Sequence, residues 1–138
     1  MKILKIDLSS TGVATSPNHP SDYPNNVTTT ETIEVDEGLI IALQFTAFDV
    51  ELNSNSCIDH LKITDGDGTT LMEETCGGST YGNIIVGGQI VDSVLPGIVT
   101  SRSNVINLIF TSSDDYTRTG WSIKTWVAFA LPIGESHN

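Results

Sequence analysis

A chain of 138 residues with 38% hydrophobic side chains is long enough to bury one core and gives no reason to expect a second domain. Six Lys and Arg stand against seventeen Asp and Glu, a net charge of −11, so the surface repels nucleic acid and favours cations, either metal ions or basic side chains of a partner. No apolar run reaches the roughly 18–20 residues that a membrane-spanning helix needs.

The segment Lys2–Leu8 alternates weakly and reads as an edge strand or a flexible lead-in. Its apolar run is cut by Asp7, too early for a secretory leader, so the chain reads as a mature fragment or an excised module. Further along, Leu39, Ile41, Leu43 and Phe45 fall on one face of an alternating stretch. The same period of two recurs in Leu61/Ile63, in Ile106/Leu108/Phe110 and in Trp121/Ile123. Between these runs stand breakers: Pro17-Asn18-His19-Pro20, Tyr23-Pro24-Asn25-Asn26, Asp36-Glu37-Gly38, Asp65-Gly66-Asp67-Gly68, Gly77-Gly78, Gly87-Gly88 and Pro96-Gly97. No stretch carries a clean helical period. Short alternating strands with regular turns predict an all-β fold, an antiparallel β-sandwich or jelly roll. Residues 1–10 form the lead-in or edge strand, 11–131 the sandwich, and 132–138, from Pro132, a tail.

Cys57 and Cys76 fit neither a CxxC motif nor a zinc pattern, and His19, His60 and His137 are scattered. One disulfide in a secreted domain is the leading reading, against two buried free thiols in a cytosolic one. Such a bridge would close a loop of about 20 residues and stabilise by roughly 3 kcal/mol in the chain-entropy model. The sequon Asn26-Val27-Thr28 makes Asn26 a candidate glycosylation site and agrees with secretion.

Catalysis finds little support. The chain has no Gly-x-Ser-x-Gly elbow, HExxH, phosphate-binding loop or dinucleotide glycine fingerprint, and nothing singles out a carboxylate pair, so it reads as no enzyme. The Asp65-Gly66-Asp67-Gly68 run lacks the Gly and Glu of a calcium loop at the required offsets and reads as a tight turn. The acids at strand ends are more informative. Glu51 ends one strand, Asp59 opens the next, and Asp114-Asp115 follow the strand ending at Phe110. If those ends meet, their repulsion favours a bound cation; if they do not, they are solvated loop acids.

Several segments together resemble CUB domains, extracellular modules that recur in complement proteases and other secreted proteins. Ser16-Pro17-Asn18-His19-Pro20-Ser21-Asp22-Tyr23-Pro24-Asn25-Asn26 is close to the family's SPNYPxxYPNN segment, and Ile41–Glu51 is similar to its I-x-L-x-F-x-x-F-D-L-E strand. Cys57–Gly66, Cys76-Gly77, Pro96–Ser101, and Phe110–Asp115 with Gly120-Trp121 follow in family order, covering roughly residues 12 to 128. The resemblance implies a jelly-roll sandwich and, in one subclass, a calcium ion held by Glu51, Asp59 and either Asp114 or Asp115. There the ion orders loops that receive a Lys or Arg from a partner.

The chain departs from the family pattern in four places. Thr29 stands where the second family cysteine belongs and no cysteine precedes it, so the first family disulfide is missing; Glu31 stands at the family tryptophan. The Cys57–Asp59 spacing is one residue short, and Ser113 takes the usual place of the last acid. Residues 78–94 are inserted and look like an added hairpin about Gly87-Gly88, either a partner contact or a longer connection.

The resulting expectation is a non-catalytic extracellular protein-recognition module, calcium-dependent, within a larger secreted protein such as a protease. Its partner would present basic residues. The alternatives are a self-assembling structural subunit, with Lys2–Leu8 docking on a neighbour's edge, and a carbohydrate-binding sandwich. The last would need Tyr23, Tyr81, Tyr116, Trp121 or Trp126 exposed.

Overall fold

A computed structural model describes residues 2–129; Met1 and the expected tail at 132–138 lie outside the described residues. Among these residues every regular element is a strand. In chain order they are β1 (Lys2–Lys5), β2 (Thr11–Thr15), β3 (Thr28–Glu34), β4 (Ile40–Val50), β5 (His60–Asp65) and β6 (Thr70–Gly78). There follow β7 (Asn83–Val86), β8 (Gln89–Val91), β9 (Val99–Thr100), β10 (Val105–Thr111) and β11 (Gly120–Ala128).

The strands form one hydrogen-bonded path, β1-β3-β10-β5-β6-β4-β11-β2, folded over on itself as a sandwich. One leaf contains β3, β10, β5 and β6, and the other β4, β11 and β2. The leaves join at β6–β4, where only Asp49↔Gly78 and Val50↔Gly77 pair. Gly78 has a φ of 124°, and a Cβ there would collide with the Phe48 carbonyl, so only glycine lets the two leaves approach at this seam.

The alternating residues face inward as the period of two requires. Ile106, Leu108, Phe110, Leu61 and Ile63 from one leaf meet Ile41, Leu43, Phe45, Trp121 and Ile123 from the other in a single core. Tyr23 packs edge-on against Phe110, with ring centroids 4.8 Å apart, and Phe110 against Trp121 at 6.0 Å.

Lys2–Lys5 is an edge strand that pairs parallel with β3 of its own chain, Lys2 opposite Glu31. The Asp65-Gly66-Asp67-Gly68 run is the turn from β5 to β6, with Gly68 N–H donating to the Asp65 carbonyl at 2.9 Å. Within the inserted region, β7 and β8 form a hairpin about Gly87-Gly88 with Val86 opposite Gln89. Ile84 and Ile85 of β7 are buried, whereas Ile90, Val91, Val94, Leu95 and Ile98 stay exposed along the outer strand and its exit.

Candidate functional site

The end of β4 and the start of β5 bring Glu51 and Asp59 to one corner of the sandwich. Glu51 is the residue after β4 and Asp59 the residue before β5; both are buried. The disulfide Cys57–Cys76, with Cα atoms 5.4 Å apart, ties the segment before Asp59 to β6.

Tyr23 organises the corner. Its hydroxyl donates to Asp59 Oδ2 at 2.8 Å and accepts the Glu51 N–H at 2.9 Å. The other Asp59 oxygen accepts the Ser113 N–H at 2.8 Å, which brings the loop after β10 to the same point. A second tyrosine repeats the arrangement one residue on: Tyr81 OH accepts the Leu52 N–H at 3.1 Å and the Arg118 Nε–H at 3.1 Å. The Arg118 guanidinium lies 5.4 Å from the Tyr81 ring centroid. Asp49 fixes the inserted segment by accepting from Thr80, through the backbone N–H at 3.0 Å and the hydroxyl at 2.6 Å.

The electrostatics single out Glu51. Burial pushes its carboxyl above the usual carboxylate range, Asp59 and Asp115 push it further, and Arg118 partly offsets them. Its Oε2 is buried and has no hydrogen-bond partner among the described residues. A buried carboxylate oxygen without a donor costs on the order of 1–3 kcal/mol, so the corner favours a cation. The available donors are all oxygens, which suits calcium rather than a thiolate- or imidazole-seeking metal.

The other expected ligands are less closely drawn in. Asp114 and Asp115 are exposed on the loop after β10; Asp115 is near enough for its charge to act on Glu51, and its N–H donates to Ser113 Oγ at 3.4 Å. Among the described residues no three His, Cys, Asp or Glu side chains converge as a ready-made metal cage. Glu51 and Asp59 therefore come together as a pair, and Ser113 meets Asp59 through its backbone N–H. Asn26 is exposed, on a turn whose N–H donates to the Ser113 carbonyl at 2.8 Å.

Tyr23, Tyr81 and Arg118 are not among the residues that the sequence points to for this corner; the two tyrosines enter it only as aromatics of a sugar surface. Tyr23 stood in the motif Ser16–Asn26, but only as an aromatic; nothing local reveals a hydroxyl partner 36 positions away. Of the aromatics that a sugar surface would need, Tyr23 and Trp121 are in the core, Tyr81 and Trp126 are partly buried, and Tyr116 is exposed.

The CUB domain family model matches residues 6–125. Cubilin of Rattus norvegicus is 35% identical over 116 residues, covering 84% of this chain but only 3% of cubilin. The extracellular region of zebrafish Gpr126/Adgrg6 superposes with a TM-score of 0.70 at 24% identity, over 93% of this chain and 14% of that one. The MASP-1 CUB2 domain bound to Ca2+ superposes with a TM-score of 0.65 at 24% identity, over 91% of this chain and 96% of that one. At those identities the two structures show the fold, while the family match and the cubilin similarity show descent. The chain belongs to the CUB domain family.

Proposed function

We propose that this chain is a non-catalytic extracellular protein-recognition module, calcium-dependent, and one domain of a larger secreted protein such as a protease. The observation that carries the calcium dependence is the buried oxygen of Glu51, without a hydrogen-bond partner among the described residues, beside Asp59 and Asp115 with only Arg118 to offset them. Glu51 and Asp59 would hold the ion, with Asp115 or Asp114 brought in from the loop after β10. Bound there, calcium supplies the positive charge that offsets the converging carboxylates. The likeness to a CUB domain described as bound to Ca2+ supports this reading, and the extracellular region of Gpr126/Adgrg6 supports the location. Because the chain spans 3% of rat cubilin, a multidomain parent is the natural setting.

The loop carrying Ser113 and Arg118 and the turn carrying Tyr81 meet at this corner, so ordering it presents a shaped acidic surface. With a net charge of −11, that surface selects a partner offering Lys or Arg. Thermal melts in millimolar calcium and in chelator test the ion. Calcium at a hundredfold excess over Kd stabilises the native state by about 2.7 kcal/mol. The shift between the two melts should vanish in Glu51→Ala. Identical melting curves for the unmodified chain in calcium and in chelator would remove calcium from the proposal.

A further inference from the structure

Away from that corner, a second buried carboxylate faces an open cleft. In the register of β3 and β10, Thr29 lies opposite Phe110, Glu31 opposite Leu108 and Ile33 opposite Ile106. Leu108, Phe110 and Ile106 are fully buried core residues. Residues opposite one another on paired strands share a face, so Glu31 points into the space between the leaves. Its side chain is only 10% exposed. Oε2 has no hydrogen-bond partner among the described residues, and the nearest cation, Lys2 Nζ, stands 3.8 Å away on a side chain that is 70% exposed.

Beside Glu31 the leaves do not close. A cleft of about 620 Å³ opens there, with Ser16, Pro17 and Asn18 on one wall, Thr29 and Glu31 on the other and Lys2 at the mouth. That volume lies within the roughly 300–1,000 Å³ range of small-molecule sites. We propose that this cleft binds a small organic cation, an ammonium or guanidinium group, with Glu31 as its counter-charge. An anion would meet the buried carboxylate of a chain with net charge −11. A neutral guest would leave the Glu31 charge uncompensated. A calcium ion needs six to eight oxygens, usually from several carboxylates, and among the described residues Glu31 is the one acid lining this space. A singly charged head that brings its own N–H donors satisfies the orphaned oxygen directly. Lys2 now supplies that charge from the rim, poorly placed and largely in water, and an entering cation would displace it. The same head arrives either on a free amine or on a partner's Lys or Arg side chain.

The test uses the full chain in chelator, with amide chemical shifts followed by NMR. Butylammonium, blocked Gly-Lys-Gly and neutral 1-pentanol are titrated separately. Saturable shifts confined to Ser16–Asn18 and Thr29–Thr32 are expected with at least one of the two cations. Kd should rise at least tenfold in Glu31→Gln and fall several-fold in Lys2→Ala. Tighter binding of the blocked tripeptide assigns the cleft to a protein side chain, and tighter binding of butylammonium to a free amine. Equal binding of 1-pentanol, shifts scattered over the acidic surface, or titrations with both cations unchanged by Glu31→Gln would overturn the proposal. Should the variant fold poorly, as its own amide dispersion reports, localisation in the unmodified chain decides.

Discussion

Glu51 and Glu31 are both buried and each keeps one oxygen without a hydrogen-bond partner among the described residues, yet their surroundings are opposite in kind. Glu51 sits in a polar lattice: Tyr23 bridges its backbone to Asp59, Ser113 holds Asp59 from the far side, and acids of the same sign crowd it. Glu31 is the single acid of its cleft among the described residues, opposite Leu108 and beside threonines and serine, with one loosely held lysine 3.8 Å away. The contrast separates two ways of carrying a costly charge. Several carboxylates held by a rigid lattice suit a doubly charged ion with many oxygen ligands. A lone carboxylate beside a cleft suits a single positive head.

The sharpest way to break the contrast is to cut the lattice. Asp59→Ala removes the acceptor of both Tyr23 OH and Ser113 N–H and strands two donors, which should cost about 3 kcal/mol in urea unfolding even in chelator. A loss below about 1 kcal/mol would show that the corner is held by packing and not by its polar network.

Glu31 should behave in the reverse sense. Burial raises its pKa above the usual carboxylate range, with Lys2 partly offsetting the rise. In the pH window between the ordinary and the raised value the folded chain keeps a proton that the unfolded chain releases, so stability falls as pH rises through it. Glu31→Gln lacks that loss. The variant should be more stable than the unmodified chain at neutral pH, with the gap closing below the ordinary carboxylate pKa. A gap that widens on acidification would mean that Lys2 stabilises the ionised form more than burial opposes it.

The smallest expected effect belongs to Lys2→Ala. With its side chain 70% exposed and its nitrogen 3.8 Å from the carboxylate, the pair should be worth about 0.5 kcal/mol or less. Denaturation midpoints in low and in moderate salt check this; a larger, salt-resistant loss would make Lys2 an integral part of the leaf.

The inner strands were legible because their inward residues alternate with polar outward ones, as in Ile106–Leu108 and Trp121–Ile123. Glu51 and Asp59 stand out in the sequence as acids at strand ends, but that those ends meet was implied only by the family resemblance. Strand ends carry no periodic signal, and the contact depends on how Tyr23 is placed. Glu31 shows the opposite difficulty. Thr28-Thr29-Thr30-Glu31-Thr32 is polar on both faces, so alternation cannot tell in from out, and only the register with β10 does. The two-pair seam between β6 and β4 was likewise invisible, because it depends on how closely Gly78 lets the Phe48 backbone approach.

The β7–β8 hairpin sets how the molecule behaves in a crowded solution. Among the described residues its outer strand, Gln89–Val91, pairs only with β7, and Ile90, Val91, Val94, Leu95 and Ile98 lie exposed along it and its exit. A bare strand edge flanked by apolar surface is a template for sticking to another chain. At low ionic strength the charge of −11 keeps copies apart. Salt shortens that repulsion to about 8 Å at physiological strength and leaves apolar contact untouched. Colloidal stability should therefore rest on charge: light scattering is expected to show dispersed copies in dilute buffer and growing association through this edge as salt is raised.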